Sequence, residues 1–424
     1  MTVFKRRKSI GGINVDFAAI SSSGIPYLWG SGDVSSSPSI AQSLTRPGGN
    51  VSNARLGSSS YVTIGSQGLA IGGGVIVSRN VNSNVNGEVY VWDYTGNLLG
   101  LSGTGIIPSP VPNIRFGCNV SVSTAGKIVI SAQNGNRGSV YLYDRFGTQL
   151  GSINGPSTNG RFGKATAIGC GKIVVGRPEG RGTNDTQFFN SVGEIRIYDN
   201  YTLNTLNETT VVIPAQFAAE GDTSVNSLCG TQVDIGCGRI IASASGERVS
   251  GLTTGVVYLL DLSGNVIKRI TPPDPQAGQN FGVSIAIGCG LIVIGSPFYG
   301  GGSQGAVYVY DLDGNFIFEL SGATPGASLG QWVSVGSGRI VASSPQNDGG
   351  QVSIFDLDGN LILDRFNQGN PTGDEFGSCH KIRDGRLLIG APGTNNGSPQ
   401  NGNLYRYESA DVYTLYDAVD IKYG

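Results

Sequence analysis

"FGVSIAIGCGLIVIGSP", Phe281 to Pro297, decides how this chain is read. It runs apolar segment, Gly-rich two-residue turn, apolar segment, then Gly-Ser-Pro. Nearly the same phrase stands at Arg161 to Pro178 as "RFGKATAIGCGKIVVGRP" and at Phe376 to Pro392 as "FGSCHKIRDGRLLIGAP". Aligned on the second apolar run, seven copies emerge, beginning at Gly74, Lys127, Lys172, Arg239, Leu291, Arg339 and Arg386. Each is followed by a variable polar loop and a third, alternating run, such as "GEVYVWDYTGN" at Gly87 and "GAVYVYDLDGN" at Gly305. A fourth run follows that turn, for example "NFIFEL" from Asn315 and, in the last copy, "VYTLYD" from Val412.

The unit is therefore four strands with a period of about fifty residues, the size of a propeller blade. The second run is apolar at successive positions, so both its faces need covering. One such sheet alone leaves an apolar face in water; a ring of them does not. Alternation in Val307, Tyr308, Val309 and Tyr310 predicts a more outward third strand. The "DG", "SG" and "TG" turns before Asn predict two-residue hairpins with Gly at positive φ. The expected fold class is all-β: a seven-bladed β-propeller of four-stranded antiparallel blades over residues 55–424, preceded by an extended N-terminal arm, residues 1–54.

Composition agrees. Of 424 residues, 68 are Gly and only 14% are charged, while 39% are hydrophobic, which excludes both a helical protein and a disordered one. The net charge of −2 supplies no field to draw nucleic acid or an acidic membrane. No apolar run approaches the ~18 residues of a membrane span. The start, "MTVFKRRKSIGGINVDFAAI", is broken by Gly11, Gly12, Asn14 and Asp16, so no secretory signal is expected. The six cysteines form no CxxC pair. Cys170, Cys237 and Cys289 share the "GCG" turn, too far apart on successive repeats for a disulfide, and are read as reduced thiols of a cytoplasm-folded chain.

"FG…GSP" and "FG…GAP" resemble the FG-GAP repeat, the blade unit of the integrin-alpha-type seven-bladed propeller. The likeness covers about Arg55 to Gly424. It is strongest at Phe281 and Phe376, recognisable at Phe116 and Phe162, and weaker where Cys229-Gly230 and Leu329-Gly330 replace Phe-Gly. The first copy, near Leu56-Gly57, is the weakest. The phrasing "VYVYDLDGN…FGxSxAxGxGxIVIGSP" also resembles FG-GAP-like proteins of marine bacteriophages, especially those of cyanobacteria. That second likeness implies a virion protein, made in the host cytoplasm and present in several copies in a symmetric assembly.

Candidate chemistry is sparse. Integrin-type propellers hold calcium in a DxDxDG loop between first and second strands, but here that connection is only "GCG" or "GSG". "DLDGN" at Asp311 and Asp356 joins the third and fourth strands and reads as a hairpin turn. No metal and no cofactor is expected. His380, the only histidine, adjoins Cys379, yet neighbours on one strand point to opposite faces, so no Cys–His dyad forms. Asp374 and Glu375 lie in an inter-blade loop. The innermost strands offer Ser, Val, Ala and Thr, poor material for acid–base work, so no catalytic residue is assigned.

Partner contacts are assigned instead to Lys5, Arg6, Arg7 and Lys8, whose basic cluster suits an acidic protein groove rather than nucleic acid; to Trp29 in the arm; and to Phe188 and Phe189 in a long insertion of the third blade. The apolar "VVIPAQF" at Val211 to Phe217 reads as an exposed contact patch, or else "TTVVIP" from Thr209 simply finishes the fourth strand. The arm, rich in Ser, Gly and Asn, is expected to dock on other virion proteins; the alternative is an arm folded back on its own propeller. The reading is a non-enzymatic tail or tail-fibre protein whose loops meet neighbours or a host-surface glycan or protein. The alternatives are an adhesion or lectin-like propeller outside a virion, and a propeller hydrolase.

Overall fold

The computed structural model of the chain describes residues 3–10, 13–20, 42–44, 54–56 and 69–408, apart from 83–86, 100–104, 113, 135–136, 157–159, 180–191, 200, 202, 204–207, 212–226, 323, 346–349, 367–374 and 392–402. Blade 5, which holds the phrase quoted above, shows the local logic. Its strands Ser284–Gly288, Leu291–Ser296, Ala306–Asp311 and Phe316–Ser321 pair antiparallel in sequence order. Gly288 pairs with Leu291 around Cys289 and Gly290, whose φ angles are 51° and 78°. Two successive left-handed residues make a type I′ turn, which matches strand twist.

The same pattern builds blade 2 (Arg115–Val122, Ile128–Asn134, Arg137–Tyr143, Gln149–Asn154), blade 3 (Thr166–Gly169, Lys172–Arg177, Glu194–Asp199, Glu208–Val211), blade 4 (Cys229–Gly236, Arg239–Ala244, Val256–Leu260, Val266–Ile270) and blade 6 (Trp332–Gly336, Arg339–Ser344, Gln351–Asp356, Leu361–Phe366). Blade 1 comprises Leu69–Gly72, Val75–Asn82, Glu88–Asp93 and Ile106–Pro108; Ala54–Leu56 pairs with the far end of its second strand. Blade 7 comprises Cys379–Arg383, Arg386–Ala391 and Asn403–Glu408. First strands of successive blades touch around the whole series, and that of blade 7 touches that of blade 1. At this closing seam Leu69, Ile71, Tyr90 and Trp92 share one core cluster with Cys379, Leu388 and Leu404. Seven sheets thus form a closed ring, and the fold class is the all-β propeller expected.

The recurring motif has a physical reason. The amides of Gly163, Gly282 and Gly377, each the Gly of Phe-Gly, donate to the carbonyls of Gly176, Gly295 and Gly390 at 3.0 Å. Phe-Gly opens the first strand and Gly-Ser/Ala-Pro closes the second, so the two motifs are antiparallel neighbours. Blade 6 keeps the bond with a serine: Gly330 N–H to Ser343 O, 3.2 Å. The phenylalanine serves the preceding blade. Phe281 is fully buried, and its amide donates to Thr254 O of blade 4 at 2.8 Å. A Cβ on Gly255, which opens the third strand of blade 4, would stand 2.1 Å from Phe281 O. The equivalent approaches are 1.8 Å for Gly87 to Phe116, 1.6 Å for Gly138 to Phe162 and 2.0 Å for Gly350 to Phe376. The repeat therefore encodes a seam between blades, which only Gly leaves room for.

Three details refine or correct the sequence reading. The third strand lies outward of the second, yet it is not exposed: Ala306 to Tyr310 are all buried, because a blade sits on each side. The exposed strand is the fourth, as in blade 2, where Leu150 is 50% exposed. The turns before Asn hold three residues, not two: Asp311 N–H donates to Asn315 O at 2.9 Å and Gly314 takes φ 74°, the type I turn with a left-handed third residue. The fourth position of blade 7, assigned to "VYTLYD", is taken by Gln42–Leu44, which pairs with Asn403–Glu408. A segment from before the first blade thus completes the sheet of the last one, and this pairing and the core cluster at the seam both hold the ring shut. Residues 412–417 lie outside the described residues.

Candidate functional site

The inner strands present their free edges toward the propeller axis, and polar side chains there are consumed by the neighbouring blade. Asn119 Oδ1 accepts from Thr166 N at 3.1 Å and from Thr166 Oγ1 at 2.7 Å. Asp234 Oδ2 accepts from Ile287 N at 3.1 Å, and Ser284 Oγ accepts from Val333 N at 2.9 Å. Edge amides left without a sheet partner are thus satisfied across the gaps between blades 2 and 3, 4 and 5, and 5 and 6. Lys164, just before the first strand of blade 3, is buried, and burial pushes its ammonium down to about 8.

His380 belongs to the same set. Its Nδ1 lies 2.7 Å from Ser334 Oγ and its Nε2 lies 3.3 Å from Trp332 O, both in blade 6. Burial pushes its pKa down to about 3, so the ring stays neutral. Cys379 points the other way, into the seam with blade 1, and burial pushes its thiol up to about 12. The two side chains face opposite blades, which removes the geometry a dyad needs.

Buried acids were not foreseen. Glu194, 1% exposed, accepts from Arg177 Nη1 at 3.1 Å and from Arg196 Nε at 3.0 Å, and Arg196 also meets Glu208 at 2.5 Å. Arg177 and Glu194 stand opposite each other at the base of the long insertion of blade 3. In blade 4, Glu247 accepts from Tyr258 Oη at 2.8 Å and from Arg269 Nε at 2.8 Å. For Glu194 the only sequence signal was its place just after Gly193, which opens a third strand; Glu247, in the loop after a second strand, carried none. These networks tie together the strand ends from which the loops leave.

The "DLDGN" segments serve their turns. Asp311 Oδ1 accepts from the amides of Asp313 at 3.0 Å and Asn315 at 2.7 Å, and Oδ2 accepts from Asn315 Nδ2 at 2.9 Å. The Asn265 side chain, donating to Asp261 in the same turn of blade 4, holds that carboxyl below its usual range. Among the described residues no three His, Cys, Asp or Glu side chains cluster as metal ligands, and no helix is long and apolar enough to cross a membrane.

The backbone of Lys5 to Lys8 pairs with Ser321 to Phe318, the outer strand of blade 5, within a hairpin formed by Val3–Ile10 and Ile13–Ile20. The sequence reading preferred external partners for this segment; here it lies on the chain's own propeller. Trp29, Phe188, Phe189 and Asp374 lie outside the described residues. Thr209 to Val211 finish the fourth strand of blade 3, and residues 212–217 lie outside.

Comparison with known proteins converges on the blade. Residues 265–310 match the FG-GAP repeat family. They run from the last hairpin turn of blade 4 into the third strand of blade 5, and so include Phe281-Gly282 and Gly295-Ser296-Pro297. The match and the seven blades together support an FG-GAP propeller. A chain from a structural and mechanistic study of two prolyl endopeptidases shares the fold at TM-score 0.55 and 13% identity, over 85% of this chain and 48% of that one. This chain thus spans about half the length of that protein. The Dos1 propeller aligns at TM-score 0.46 and 13% identity, over 83% of this chain and 96% of that one. No curated protein matches the sequence.

Proposed function

We propose that this FG-GAP propeller is a non-enzymatic protein–protein interaction module and a structural component of a bacteriophage virion, in the tail or its fibres. The observation that carries the interaction reading is a division of labour, shown by the bonds between blades 2 and 3 and from blade 4 to blade 7, and by the braced strand ends of blades 3 and 4. Polar groups near the axis are used up between blades, while rigid, braced roots support variable loops at the rim. Catalysis needs a polar group free to meet substrate; His380 and Asp234 are both engaged. Loops on a rigid scaffold are where recognition normally resides.

The virion assignment rests on the phrasing shared with phage FG-GAP proteins. Other virion proteins would be the partners of the arm, and a host-surface glycan or protein the partner of the loops, with neither nucleic acid nor membrane involved. Immunogold labelling of intact particles with antibody to this chain tests it. Label at the tail is expected; absence of label on intact particles discards the virion role and leaves the interaction module.

A further inference from the structure

We propose that the outer edge of blade 5 is a strand-acceptor site, filled by the chain's own N-terminal hairpin in the isolated protein and by the hairpin of a second copy in the assembly. The proposal rests on the reading that the arm docks within an assembly, and it names where.

The edge is specific. Lys5, Arg6, Arg7 and Lys8 stand in register with Ser321, Leu320, Glu319 and Phe318. The register sets Arg7, in a basic run of sequence, opposite Glu319, a carboxylate only 4% exposed. Phe318 and Leu320 beside it are each 1% exposed. A strand added to an open sheet edge gains its backbone bonds from any chain, and a buried carboxylate on that edge favours a strand of basic sequence.

The tether permits exchange. Residues 21–41 separate the hairpin from Gln42–Leu44, which is held on blade 7. Twenty-one residues span up to about 70 Å when extended, so the covalent link does not by itself bind the hairpin to the edge of its own molecule. The same hairpin on the same edge makes the same bonds in either molecule, so concentration decides between them. A dilute chain favours its own edge, and a crowded assembly favours its neighbour's.

Cysteines at a paired position read this directly. Lys5→Cys and Ser321→Cys are made singly and together in the full chain, with the single variants and the wild-type chain as controls for the native thiols. When the two single variants are mixed at rising concentration and oxidised, a disulfide-linked dimer is expected, increasing with concentration and well above either variant alone. The double variant, dilute, should cross-link within one chain. An internal cross-link in the double variant with no mixed dimer at any concentration overturns the exchange. No cross-link in either format overturns the acceptor site itself. These readouts concern purified protein, so they can fail while particle labelling succeeds, and the reverse.

Discussion

Gly295 lies so close to Gly330 of the next blade that a Cβ added to it would stand 2.0 Å from the Gly330 carbonyl oxygen. The second glycine of the motif is thereby part of a backbone-to-backbone contact between blades 5 and 6. Gly295→Ala must displace backbone rather than a mobile side chain, and a loss of about 3 kcal/mol or more is expected, the upper range for overpacking. Gly301→Ala, where nothing lies within 4 Å, should change stability by under about 0.5 kcal/mol. Equilibrium unfolding in denaturant compares the two.

Phe281 packs edge-on against Tyr308 and Tyr310, with ring centroids 5.4 Å and 6.4 Å away. Phe281→Ala empties that space and should cost about 3–5 kcal/mol. If the variant unfolds at the wild-type denaturant midpoint, the phenylalanine is not the seam residue described above.

His380 makes stability depend on pH. Its folded pKa, about 3, lies below the unfolded value near 6.5, so below pH 6.5 the unfolded chain binds more protons. This contribution is fully present above about pH 6.5 and is lost as pH falls toward 3, at up to about 1.4 kcal/mol per pH unit. Carboxylates titrate in the same window. The measurement is therefore the difference between wild type and His380→Gln, whose stability curve should be flatter between pH 6.5 and 4.

Glu194 sits between two guanidinium groups at 1% exposure. Glu194→Gln removes the charge that both arginines meet, and a loss of about 3–5 kcal/mol is expected. Faster proteolytic cutting within residues 180–191 would show that the pair braces the root of that loop; an unchanged cutting rate would deny it that role.

Asp311 spends both oxygens on its own hairpin. Neither millimolar calcium nor a chelator should move the melting temperature, whereas Asp311→Ala should lower stability by about 1 kcal/mol through the lost turn bonds. A calcium-dependent rise in melting temperature would restore the metal reading of "DLDGN".

The blades were legible because a buried strand pair writes itself as consecutive apolar residues, and because a turn such as Cys289-Gly290 must supply left-handed backbone. The Phe-Gly spacing was visible, but its purpose was not. The bond from Gly282 to Gly295 is local, whereas the approach of Phe281 to Gly255 joins different repeats, and no spacing within one repeat reports it. His380 and Cys379 were correctly separated from strand alternation alone. The network of Glu194 with Arg177 and Arg196 escaped notice because a lone Glu beside Gly looks like any solvated acid. Gln42–Leu44 escaped because three polar-flanked residues carry no period, and only the unfilled place in the last sheet gives them a role.

That last pairing has a consequence for biosynthesis. The segment that seals the circle leaves the ribosome about 360 residues ahead of its mate at Asn403–Glu408. At 5–20 residues per second the wait is roughly 20 to 70 s, during which the flank of blade 1 that meets blade 7 stays open to water or to chaperones. A chain ending before Asn403 lacks the strand that receives Gln42–Leu44, so the flank of blade 1 at this seam stays uncovered.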